Sequence, residues 1–236
     1  MKVESITFPT SQGNLRGTIH YPDRAPSGCI ITCHGLFSSK DSDKFIALGE
    51  RFARENYALL RFDFRGCGES DGLVEDTTIT GRKEDLEAAM AFIKRHIPSS
   101  DPGVGFLGSS LGGFISLLVA PSYPSVKAVV TWATPISFDG IREVIKNSTA
   151  PRLREDFFID ARRYSTYRFV TRVPNLLILH GDRDETVPVE HAHRLYQTAR
   201  EPKKLEIVAE ADHVFSNGTH REAAIEASLN WFKHYL

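Results

Sequence analysis

The stretch Gly108-Ser109-Ser110-Leu111-Gly112-Gly113 constrains this chain more than any other. A short apolar run, Val104 to Leu107, leads into it, and a second, Phe114 to Ala120, leaves it. It therefore reads as a sharp turn between a buried strand and a buried helix. Of its two serines only Ser110 has a glycine two residues away on each side. In that spacing the serine backbone is strained, and side chains at the flanking positions would collide with the neighbouring strand and helix. The strain lifts the hydroxyl clear of the sheet, and the amides that open the helix face any negative charge forming beside it. The same small residues also suit a plain β–α connection or a phosphate-cradling loop, so the rest of the chain has to decide.

Strand and helix patterns alternate along the sequence. Val3 to Phe8 and Leu15 to Tyr21 alternate apolar and polar residues about Ser11-Gln12-Gly13-Asn14, which predicts an antiparallel hairpin. Gly28 to Cys33, Tyr57 to Phe62, Val126 to Trp132, Asn175 to Leu179 and Lys204 to Val208 read as further strands. Asp41 to Glu55, Ile79 to Ile97, Val189 to Ala199 and about Gly218 to Tyr235 read as the helices between and after them. This rhythm predicts an α/β fold, a mostly parallel doubly wound sheet with an antiparallel hairpin at its start. At 236 residues with 41% hydrophobic content, one domain accommodates the whole chain.

In such a sheet the reactive groups belong on loops at the carboxyl ends of strands. After Leu179 comes His180-Gly181-Asp182-Arg183-Asp184-Glu185-Thr186-Val187-Pro188, with two carboxylates able to orient a histidine. The turn after Gly181 brings the later residue back over the strand ends, which selects Asp184 and leaves Asp182 to cap the turn. After Val208 comes Ala209-Glu210-Ala211-Asp212-His213, and an imidazole there can take and return the Ser110 proton near neutral pH. His180 also follows a strand but precedes the acid too closely to be its partner. After Cys33 comes His34-Gly35-Leu36-Phe37, where the Leu36 N–H, with that of Leu111, can serve as an oxyanion donor and His34 as a loop brace. After Phe62, the run Asp63 to Gly72 reads as a tightly wound structural turn, with Cys67 as a possible exposed thiol.

With these loops in hand the chain resembles the α/β-hydrolase superfamily over nearly its whole length. The resemblance rests on His34-Gly35, Asp63-x-Arg65-Gly66-x-Gly68-x-Ser70, Gly108-x-Ser110-x-Gly112, Gly181-x-x-Asp184-x-x-Val187-Pro188 and Asp212-His213. It implies Ser110 as nucleophile, Asp184 as acid, His213 as base, and the Leu36 and Leu111 amides as oxyanion hole. The nearest likeness is to small carboxylesterases of the feruloyl and cinnamoyl esterase type and to monoacylglycerol-lipase-like hydrolases. Leu111 stands where cinnamoyl esterases often carry glutamine, and Leu36 where an aromatic is common.

Between about 135 and 172 the strand–helix rhythm falters where this superfamily inserts a cap. The segment holds Phe138, Phe157, Phe158, Tyr164, Tyr167 and Phe169. Its rings either line a pocket, with Phe37, Trp132, Phe138, Phe157 and Phe158 as candidate walls, or anchor the insert to the domain. Its arginines, Arg152, Arg154, Arg162, Arg163 and Arg168, either favour an anionic substrate or simply face solvent.

These readings together point to a serine carboxylesterase that splits small to medium acyl or aryl-acyl esters through an acyl-enzyme, with no metal or organic cofactor. A thioesterase or acyl-peptide hydrolase would use the same machinery, and a non-catalytic binding protein could share the fold. Basic and acidic residues nearly cancel, 29 against 30, which argues against nucleic acid as a partner. No apolar run reaches the roughly 18 residues of a membrane span, so the expected setting is the cytoplasm and the expected partner a small-molecule ester. Whether the protein is a monomer or a homodimer is not legible. Cys29, Cys33 and Cys67 form no disulfide framework, and the first two read as buried inert thiols.

Overall fold

The computed structural model describes residues 1–97, 103–138 and 153–236. The alternating start forms the hairpin β1 (Lys2–Thr10) and β2 (Gly13–Tyr21), paired antiparallel along their full length. The chain then runs through β3 (Cys29–Cys33), α1 (Asp43–Arg54), β4 (Ala58–Phe62), α2 (Ile79–His96), β5 (Val104–Ser109), α3 (Leu111–Val119) and β6 (Val126–Trp132). Beyond the insert segment come β7 (Leu176–Gly181), α6 (Glu190–Thr198), β8 (Lys203–Val208) and α7 (Gly218–Tyr235). Within the insert, α4 (Glu155–Ala161) and the single turn α5 (Thr166–Phe169) are described, whereas residues 139–152, Arg152 among them, lie outside the described residues.

The eight strands form one sheet in the order β1-β2-β4-β3-β5-β6-β7-β8. β2 meets β4 antiparallel, and every pairing from β4 through β8 is parallel. Parallel strands need crossovers, and the helices that make them cover both faces. All residues of β3, β4, β5 and β7 are accordingly buried. α2, α3, α6 and the insert pack on one face, α1 and α7 on the other. From β3 the chain crosses by α1 to β4 on one side, and from β4 by α2 back past β3 to β5 on the other. The strand order thus reverses at the β3–β5 junction, the position beyond whose carboxyl ends open α/β sheets bind their ligands. Cys33 pairs there with Gly108, which sets the loop after β3 against the turn that carries Ser110.

The insert is fastened to the domain by aromatic rings. Phe114 of α3 meets Phe138 at 5.0 Å between centroids, Phe138 meets Phe157 at 5.4 Å, and Phe157 meets Phe158 at 5.2 Å. Contacts of this kind contribute about 0.5–1.5 kcal/mol each beyond the area they bury. Asp160 of α4 also accepts from the Thr80 amide and hydroxyl at the start of α2. The rings therefore do the anchoring. Phe157 has no exposed surface to offer a substrate, so its expected place in a pocket wall is not met.

Candidate active site

Ser110 sits at φ 54° and ψ −123°, a conformation that a side-chain-bearing residue adopts only when its surroundings impose it. Its N–H donates to Trp132 O at 2.8 Å, and its carbonyl accepts from Gly113 N and Phe114 N, which starts α3. The flanking glycines are required by close approach. A Cβ on Gly108 would lie 2.4 Å from Gly112 O, and a Cβ on Gly112 would lie 2.0 Å from Cys33 O. The steric logic read from the spacing is thus present in the packing.

The loop after β3 runs directly past this turn. A Cβ on Gly35 would meet Ser110 Cβ at 3.2 Å and Ser110 Oγ at 3.8 Å. Among the described residues neither the Leu36 nor the Leu111 N–H has an acceptor, so neither donor is committed elsewhere. His34 is buried and braces this loop, as expected. Its Nδ1 donates to Gly35 O at 2.8 Å and its Nε2 accepts from Phe64 N at 3.0 Å. Burial, reinforced by the Arg82 charge, pushes its imidazole down to about 3, so it stays neutral and carries no proton in turnover.

Asp184 lies in the turn after β7 with Oδ1 accepting from Thr186 N at 2.9 Å and Val187 N at 2.7 Å. Its Oδ2 accepts from His213 Nδ1 at 2.8 Å. Burial alone would raise this carboxyl, but hydrogen bonds from His180 and His213 hold it well below the usual carboxylate range. A fixed anion on Nδ1 keeps the proton there and leaves Nε2 with a free lone pair. Asp182 does not cap its own turn, whose amides Asp184 takes; its Oδ1 accepts from Glu210 N at 2.6 Å, tying the β7 loop to the β8 loop that carries His213. Arg183 N donates to Ala211 O, a second tie between the same loops.

His213 is brought to Asp184, and Phe215, two residues on, packs at 5.2 Å against Trp132, whose carbonyl accepts from Ser110 N. Ser110 Oγ itself has no hydrogen-bond partner among the described residues, His213 included. Catalytic hydrogen bonds in unliganded sites are often long and tighten only with substrate bound.

Several expectations are corrected. His180 does contact Asp184, with Nε2 3.2 Å from Oδ2 and 2.8 Å from Val187 O. The loop curls back over its own strand, so four residues of separation bring the two together rather than apart. Trp132 is fully buried on the α7 face and donates from Nε1 to Ser228 Oγ, so it is core and not pocket. Cys67 is buried, not exposed. Phe37 remains partly exposed on the loop after β3, at φ 55°. Phe138 and Phe158 do line a cavity of about 430 Å³ with Ile136, Arg162, Tyr164 and Tyr167, but neither Ser110 nor His213 forms part of its walls.

Two cations escaped the sequence reading. Lys44, on the buried stripe of α1 with Leu48 and Phe52, donates to Ser109 Oγ at 2.8 Å. Burial pushes its ammonium down to about 8 against the pull of Asp212 and Asp184. Arg82 lies on the corresponding stripe of α2. A charge at the i, i+4 spacing of apolar residues is the signal that would have found both.

Residues 28–159 match the sequence model of the α/β hydrolase fold family, and that stretch holds more than half the chain. The chain belongs to the α/β-hydrolase fold family. It is 27% identical to YfhR of Salmonella typhi, an uncharacterised protein, over all of this chain and 83% of that one. Among solved structures it resembles the esterase domain of a Rhodothermus marinus protein, with a TM-score of 0.83 at 27% identity, covering 100% and 99% of the two chains. Est1E of Butyrivibrio proteoclasticus, solved with ferulic acid bound, shares the fold at a TM-score of 0.85 and 21% identity over 97% and 99%. The protein is thus a hydrolase of this superfamily with esterases among its structural neighbours. Among the described residues no helix is long and apolar enough to cross a membrane.

Proposed function

We propose that this α/β-hydrolase is a serine carboxylesterase acting on small to medium acyl or aryl-acyl esters through an acyl-enzyme. His213 takes the Ser110 proton on Nε2, the Ser110 oxygen bonds to the ester carbonyl carbon, and the Leu36 and Leu111 amides receive the oxyanion. Collapse expels the alcohol, protonated by His213, and water repeats the sequence to release the acid and restore Ser110. Asp184 stays ionised throughout and fixes the imidazole tautomer.

The observation that supports this reading is the strained Ser110 between the Leu36 and Leu111 loops, whose N–H groups have no acceptor among the described residues, together with the hydrogen-bonded Asp184–His213 pair on the loops after β7 and β8. The likeness to the esterase domain of the Rhodothermus marinus protein supports it. A Ser110→Ala variant should lose on the order of 10⁴-fold or more in kcat on p-nitrophenyl esters, and labelling by a fluorophosphonate should vanish with it. Near-normal turnover in that variant would sink the assignment. Acyl-CoA thioesters and blocked aminoacyl amides, run beside the esters, settle which leaving group is preferred.

A further inference from the structure

The guanidinium of Arg82 is fully buried, on the stripe of α2 that carries Ile79, Leu86, Ala89 and Ile93. A buried cation normally takes a carboxylate partner, because desolvation must be offset. Among the described residues none lies within ion-pair distance of Arg82. Asp85, the nearby acid on the same helix, is engaged by Arg65 at 2.7 Å. Nη1 of Arg82 instead donates to His34 O at 3.2 Å and Gly35 O at 3.3 Å, and Nη2 to Cys67 Sγ at 3.4 Å. The guanidinium carbon lies 4.6 Å from the Phe64 ring centroid, and Nε has no hydrogen-bond partner among the described residues.

The charge is therefore committed to two consecutive carbonyls of the loop that passes Ser110. One of them, Gly35 C=O, belongs to the same peptide plane as the Leu36 N–H. In a trans peptide these two groups point in opposite directions. Held by Arg82 Nη1 on one lone pair and His34 Nδ1 at 2.8 Å on the other, the carbonyl turns the Leu36 N–H the opposite way, away from the guanidinium. The flipped peptide would present a carbonyl oxygen where the N–H now lies, and Gly35, having no Cβ, does little to prevent that flip.

We propose that Arg82 is a positioning residue for ester hydrolysis, holding the Gly35–Leu36 peptide in the orientation that aims the Leu36 N–H at the developing oxyanion. The proposal rests on the reading of Ser110 as nucleophile. Arg82 does not touch the substrate. Its effect belongs to the transition state, which bears the oxyanion, and not to the bound ester.

Arg82→Gln and Arg82→Lys separate this role from a structural one. The glutamine removes the cation. The lysine keeps the charge but offers one ammonium in place of a planar fork, and it cannot hold both carbonyls and Cys67 together. Both are assayed on an ester whose acylation is slow, so that KM reports binding, and against a trifluoromethyl ketone, whose adduct with Ser110 carries the oxyanion. Arg82→Gln should lose on the order of 10²-fold in kcat, the scale of one lost oxyanion donor, with Arg82→Lys intermediate. KM should move by less than about threefold, and ketone affinity should fall in parallel with kcat. A folded Arg82→Gln, checked by circular dichroism and melting, with wild-type kcat overturns the proposal. So does a kcat loss that leaves ketone affinity unchanged. Should the glutamine variant fail to fold, the same two readings on Arg82→Lys decide. Ser110→Ala runs alongside: an active Ser110→Ala sinks the nucleophile reading, whereas an inactive one beside an unimpaired Arg82→Gln sinks only the role of Arg82.

Discussion

Replacing Gly112 by alanine should damage catalysis more than it damages the fold. The added Cβ would lie 2.0 Å from Cys33 O, 2.4 Å from Cys33 C and 2.6 Å from His34 O, whereas real Cβ atoms essentially never come closer than 3.0 Å. All three atoms are backbone, so no side chain can swing aside. The end of β3 and the start of α3 must part by about 1 Å, a change of the kind that overpacking makes at a cost of about 1–3 kcal/mol. For a chain of this length that corresponds to a fall of roughly 2–12 °C in Tm. The two segments forced apart are those that carry the Leu36 amide and Ser110. A misplacement of about 1 Å at a reacting centre costs on the order of 10²-fold in rate. Gly218→Ala is the control, since nothing lies within 4 Å of a Cβ there, and it should leave both kcat and Tm near wild type. Steady-state kinetics on a p-nitrophenyl ester and a thermal melt test the pair. A folded Gly112→Ala with wild-type kcat would refute the claim that this contact sets the register between nucleophile and oxyanion loop.

Asp184→Asn should lower kcat about 10⁴-fold, because an amide no longer fixes the His213 tautomer. Asp182→Asn, which touches only the Glu210 amide, should lose far less, and equal losses would mean the acid is misassigned. Lys44→Met should raise stability at pH 7. The folded-state value of Lys44 is near 8, below the roughly 10.4 of an unfolded lysine. Between those values the unfolded chain holds a proton that the native state has shed, so the penalty for burying Lys44 eases as pH rises through that window. Urea unfolding at pH 7 and pH 10 should show the variant's advantage shrinking, and a variant less stable at pH 7 would contradict this. Burial pushes Cys29 and Cys33 up to about 12 and also raises Cys67, so a thiol reagent should leave all three unmodified in the native protein and reach them after denaturation. Rapid labelling of the native chain would show that the thiols are accessible.

Local pattern carried most of the fold. The β1–β2 hairpin, the five-residue apolar run of β3 and the glycine spacing around Ser110 each specify their geometry within a few residues, through alternation, burial and steric exclusion. Strand ends then showed where reactive loops must lie, and Asp184 and His213 could be chosen from those loops without any contact being known. What the sequence could not express is which face of an element a residue finally meets. Trp132 reads as an aromatic at a strand end, yet the partner on its side of the sheet is α7, and Ser228 takes its N–H. His180 reads as too near Asp184 along the chain, yet the curl of the loop brings them together. Lys44 and Arg82 escaped the sequence reading, yet both lie on buried stripes where tertiary packing points them at Ser109 and at the Gly35 carbonyl. Order along the chain and local backbone geometry are properties of neighbours, so the sequence alone determines them. The electrostatics around the Gly35 loop arises from groups tens of residues apart, such as Arg82 and Gly35, and only their convergence in the folded chain decides it.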